Sequence, residues 1–71
     1  MIHKIIWSDV LSEDDIDTAK SRVRQAGGNV LNTTYYPEDE QATMQVEHIG
    51  AASDLQETLK ERAFPYPEVL K

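Results

Sequence analysis

Three groups of residues in this chain have side chains capable of chemistry. Glu13, Asp14, Asp15 and Asp17 crowd the stretch "SEDDID". His3 and His48 are the only histidines, and there is no cysteine. Trp7, Tyr35, Tyr36 and Tyr66 are four of the five aromatic side chains, Phe64 being the fifth. A hard cation needs several oxygens converging on one point. Neighbouring carboxylates on a helix diverge, and no spacing here matches a calcium loop. The field of a helix N-terminus accounts for the acidic cluster without a ligand. Two histidines beside Glu47 fall short of the three or four ligands zinc takes, and Glu47 and His48 alternate to opposite sides of a strand. The serines fall at helix starts with no histidine spaced to activate them. Asp9 or Glu13 would act as a general base only beside a pocket. The residues therefore point to no catalytic group, no metal and no cofactor.

The bulk numbers narrow the classes further. At 71 residues the chain makes one domain, spanning 1–71, with a modest core. Thirteen acidic against seven basic residues give a formal charge of −6, which repels phosphate backbones and anionic lipid. Apolar runs are too short to span a membrane, and no segment reads as a secretion signal. The expectation is a cytoplasmic protein that binds neither nucleic acid nor membrane.

These residues must be held by regular elements. Ile2 to Trp7 is β-branched and aromatic, as in a strand. After the turn Ser8–Leu11, Ser12 is placed to cap a helix, with Asp15 at the capping-box position. Ile16, Ala19, Val23 and Ala26 form one apolar stripe, acids precede bases along it, and Gly27–Gly28 ends it. Val30 to Tyr36 reads as a second strand, Pro37 to Glu40 as a turn, and the alternation from Ala42 to Ile49 as a third strand. Ser53, with Gln56 at its capping-box position, starts a second helix with the stripe Leu55, Leu59 and Ala63. "FPYPEVL", with its two prolines, fits a turn and a short edge strand.

The order β-α-β-β-α-β is that of an α+β ferredoxin-like sandwich. It predicts a four-stranded antiparallel sheet, ordered 4-1-3-2, with both helices on one face. Chain direction alternates, so Trp7, Asp9, Glu13 to Asp17, Glu38 to Glu40, and Phe64 to Tyr66 gather at one end. The basic half of the first helix points to the other. The opposite sheet face, with Thr33, Thr43, Gln45 and tyrosines, is left open. RNA-recognition motifs place aromatics on such a face, but among basic residues; here Asp9, Glu47 and Glu68 lie nearby.

The chain also resembles the heavy-metal-associated domains, the small copper-chaperone and mercury-binding modules. The resemblance covers nearly the whole chain: "HKIIW", a helix ending in glycine before "NV", a hairpin, and "LKERAFPYPEVL". It implies the same fold. In that family a cysteine pair between strand one and helix one binds metal. The matching positions here are Ser12 and Asp15, or Glu13 and Ile16, and neither pair offers the soft thiolate copper(I) requires.

The expected function is a non-enzymatic interaction module that binds a protein partner, of basic character, through its acidic and aromatic end. Trp7, Asp9, Glu13, Asp14, Asp17, Glu38, Asp39, Glu40, Phe64 and Tyr66 are the expected contact residues. A homodimer through the open sheet face is a second association open to it. The alternatives are a heavy-metal-associated domain using carboxylate or histidine ligands, and a small oligomeric enzyme.

Overall fold

The computed structural model describes residues 1–60 and 65–70. Its elements are β1 (Ile2–Ser8), α1 (Glu13–Gln25), β2 (Asn29–Tyr36), β3 (Gln41–Glu47), α2 (Ala52–Lys60) and β4 (Tyr66–Val69), with a 3-10 turn at Pro37–Asp39 between β2 and β3. The four strands form one antiparallel sheet in the order β2-β3-β1-β4. This is the expected ferredoxin-like arrangement. Ala63 and Phe64 lie outside the described residues.

Alternation decides which sheet face the helices cover. His3, Ile5 and Trp7 on β1 are buried, as are Ala42, Met44 and Val46 on β3. They meet Ile16, Ala19 and Val23 of α1 and Leu55 and Leu59 of α2 in one cluster. Both helices therefore lie on the same face. α1 closes with two hydrogen bonds, Gly28 N–H to Val23 C=O and Gly27 N–H to Arg24 C=O, around Gly27 at φ 87°. A Cβ on Gly28 would fall 2.7 Å from Val23 and 2.8 Å from Val46, so this glycine also lets the helix end approach β3.

β2 departs from strict alternation. Val30 pairs with Val46, and the next register partner of β3, Gln45, meets Asn32 instead of Leu31. The extra residue is a bulge. It turns Thr33, opposite Met44, and Tyr35, opposite Ala42, toward the helices. Thr33 was expected on the open face; the bulge moves it to the other.

Trp7 corrects a second expectation. It was placed among exposed anchors, yet it is fully buried. Its in-register position on β1, two residues after Ile5, commits it to the core face. Enclosing an indole removes roughly 150–250 Å² from water, a gain of about 4–6 kcal/mol, more than a surface anchor could offset. Arg22 covers the ring, its guanidinium carbon 5.2 Å from the centroid. Arg22 follows Ala19 by three and precedes Val23, so it shares the buried face of α1 and is only 8% exposed. Its guanidinium donates to Pro65 C=O at 2.8 Å and to Leu59 C=O. The basic half of α1 is thus divided: Arg24 faces solvent, whereas Arg22 bonds to the Leu59 carbonyl in the last described turn of α2. A cation there suits the helix dipole.

α2 starts at Ala52, one residue before the expected cap. Gln56 does not reach back to Ser53. Its amide nitrogen donates to Pro67 C=O at 2.9 Å, and its amide oxygen accepts from Val69 N–H at 2.6 Å. On its other side β4 pairs with β1. The Gln56 amide therefore occupies the place of a further strand's peptide group, and edge strand β4 is sealed.

Two outcomes follow for stability. Arg22→Met keeps the apolar stem over Trp7 but leaves two carbonyls without their donor; it should lower unfolding free energy by about 2–4 kcal/mol in urea titration, and Arg22→Lys should restore only part. Gln56→Met should cost about 1–3 kcal/mol and raise amide exchange at Val69 before the rest of the sheet.

Candidate functional site

Three segments build the acidic end. β1 runs out through Asp9, at φ 60°, into Val10, which is fully buried. The β2–β3 hairpin turns through Pro37, Glu38 and Asp39 and reverses at Glu40, at φ 53°. The Val10 N–H donates to the Glu40 carbonyl at 2.8 Å and ties the two turns together. α1 then starts beside them with Glu13, Asp14 and Asp15 in its first turn. Asp9, Glu13, Asp14, Asp15, Asp17, Glu38, Asp39 and Glu40 are eight of the chain's 13 acidic residues, all collected here.

Most of these side chains are exposed. Asp15 is half-buried, and its Oδ2 accepts from the Leu11 N–H at 2.8 Å. Ser12 holds the cap position in an extended conformation but makes no side-chain capping bond. The reciprocal capping box expected from sequence is therefore half present: Asp15 reaches back, one residue beyond the cap, and Ser12 contributes backbone alone. Of the positions that the resemblance sets against a cysteine pair, Ser12 and Glu13 are exposed, Asp15 is engaged and Ile16 is in the core.

Among the described residues, the exposed aromatic side chains at this end are tyrosines. Tyr36 pairs with Gln41, Gln41 with Ser8, and Ser8 with Tyr66. These four residues make one rung across the whole sheet on its open face. Tyr36 is 44% exposed and Tyr66 53% exposed. The next rung is Thr34, Thr43, Ile6 and Glu68. Tyr66 is among the contact residues expected from the sequence, and Tyr36 is not. Its signal was available: of two adjacent tyrosines ending a strand, one must face away from the core.

The histidines meet at the other end. Their ring centroids are 6.3 Å apart, and both engage Gly50. The His3 Nε2–H donates to Gly50 C=O at 3.1 Å, and the Gly50 N–H donates to His48 Nδ1 at 3.1 Å. The pair fastens the β3–α2 turn to β1. Among the described residues, no three His, Asp or Glu side chains gather in a way that could hold a metal ion. No helix among them is long and apolar enough to cross a membrane. No family model, curated protein or solved structure matches the chain.

The arrangement has exposed carboxylates on two tied turns and a helix start, bordered by two tyrosines on a flat polar rung. Its exposed carboxylates give this end a negative field. Among the described residues it holds no convergent acid–base pair.

The division of labour at the helix start is measurable. Ser12→Ala should change unfolding free energy by less than about 0.5 kcal/mol, since no side-chain bond is lost. Asp15→Ala should cost about 0.5–2 kcal/mol, as removal of a capping acceptor does. Chemical denaturation of the two variants compares them directly; the reverse order would show that Ser12 is the cap.

Proposed function

We propose that this domain is a non-enzymatic interaction module that binds a protein partner carrying a basic surface. The observation that supports it most is the Val10–Glu40 hydrogen bond, which holds the Asp9 turn and the acidic hairpin side by side next to the Tyr36–Tyr66 rung. Carboxylates spread over two tied turns steer and orient a cationic partner. Tyr36 and Tyr66, amphipathic and part-exposed, supply the contact area that charge alone lacks. Trp7 takes no part in the contact, and its role is to hold β1 against the helices. Asp9, Asp14, Glu38, Asp39 and Glu40 are the steering groups.

The test starts from a partner captured with the full chain and then titrates purified components. Glu38→Lys with Asp39→Lys, in the hairpin turn, should leave the melting temperature within a few degrees and weaken association at least tenfold, equivalent to about 1.4 kcal/mol. Asp14→Lys should weaken association and also lower stability slightly, because a cation opposes the helix dipole. Tyr36→Ala should reduce affinity with little change in its salt dependence, whereas the charge reversals should flatten that dependence. Affinity unchanged across all these variants would remove the acidic end from consideration as a binding surface.

A further inference from the structure

The two edges of the sheet are not alike. β4 has its outward Pro67 C=O and Val69 N–H bonded by Gln56. β2 pairs with β3 alone, and its eight residues leave the other side of the strand open. Along that side runs α1, and the stripe it presents there is Glu13, Asp17, Lys20 and Arg24. Glu13, Asp17 and Lys20 line one depression against β2 together with Thr33 and Tyr35. Lys20 and Arg24 line the next, again with Thr33.

Spacings of four, three and four place these residues on one helix face. Their signs run acid, acid, base, base, which is antisymmetric about a point between Asp17 and Lys20. The helix dipole accounts for acids first and bases last. It does not account for their alignment on the face beside the open strand, where Glu13 with Asp17, and Lys20 with Arg24, set like charges one turn apart. Such pairs are unfavourable in an isolated helix. Lys20 and Thr33 are common to both depressions, so the change of sign falls level with Thr33. Thr33 itself has a buried hydroxyl oxygen with no hydrogen-bond partner among the described residues.

We infer that the β2 edge pairs with β2 of a second copy of this chain, antiparallel about a twofold axis at Thr33, to make one continuous eight-stranded sheet. The symmetry brings Glu13 and Asp17 of one α1 toward Arg24 and Lys20 of the other, and the reverse. It also sets Thr33 opposite its own counterpart, as a cross-strand pair at the axis. An isologous contact requires a self-complementary surface, and this stripe is one. A basic peptide would satisfy the acidic half and clash with Lys20 and Arg24. Among the described residues, the open sheet face has no comparable self-matching pattern: Lys4 is its one cation, against Glu47 and Glu68. The partner reading uses the turns, Asp14 and the tyrosine rung, whereas this contact uses Glu13, Asp17, Lys20 and Arg24 on the side of α1 beside the β2 edge.

The absence of cysteine gives a clean test. Thr33→Cys should form a disulfide-linked dimer as the main product under mild oxidation, because residues opposite each other in an antiparallel pair have Cα atoms about 4.5–5.5 Å apart. Thr43→Cys, central on the open face, should remain mostly monomeric. Sedimentation equilibrium of the unmodified chain should show a dimer. Glu13→Lys with Asp17→Lys should shift that chain toward monomer at least tenfold in dissociation constant, and so should Lys20→Glu with Arg24→Glu. Mixing the two double variants should restore a heterodimer, which also shows that each variant has folded. A chain that stays monomeric at high micromolar concentration would overturn the inference. So would cross-linking through Thr43→Cys in preference to Thr33→Cys, or no heterodimer from folded double variants.

Discussion

The fold depends on a cation placed where a core of this size can hardly accommodate one. The Arg22 guanidinium is covered by Trp7 and bonded to the carbonyls of Leu59 and Pro65. Burying an unpaired charge is costly, and burying helix-end carbonyls without donors is costly too. Each group removes part of the other's penalty. The consequences run outward along the chain. Bonding Leu59 and Pro65 to one guanidinium ties α2 to the residue before β4. That places Gln56 over β4 and Tyr66 opposite Ser8. The exposed tyrosine rung thus rests on a contact made from the other side of the sheet.

The acidic end has a different physical basis. Like charges repel, and nothing in helix or strand propensity would draw Asp9 toward Glu40. Backbone geometry does it. Two residues with positive φ, Asp9 and Glu40, turn the chain sharply on either side of one hydrogen bond. Left-handed backbone is disfavoured for side chains other than Asn, Asp and Gly. The strain is held by Val10, which is completely buried beneath the two turns. Hydrophobic burial therefore keeps the carboxylates side by side against their own repulsion.

Much of this is legible in the sequence. The helical stripes, the strand alternation and the glycine pair after α1 depend on local periodicity, and they gave the element order and the sheet order. What was missed lies in tertiary choices among locally equal options. Gln56 satisfies a capping box as well as it satisfies a strand edge, and only the position of β4 decides between them. Trp7 suits an interface as readily as a core, and its place in the β1 alternation with Ile5 was the deciding signal. Arg22 fitted the helix dipole so well that its place on the apolar stripe went unused. The bulge at Leu31 has no marker such as glycine, so the facing of Thr33 and Tyr35 could not be read from the alternation.

The Gln56 clamp also sets a limit on size. A sheet with two open borders can accept strands indefinitely, and chains of that kind grow into fibres. Here one border already carries a side-chain amide in the position of the next peptide bond. Any strand added at β2 is consequently the last if it comes from a copy of this chain, because each copy brings a closed border of its own. The glutamine works as a chain terminator at the β4 border, where a further strand would have to displace its amide before it could pair.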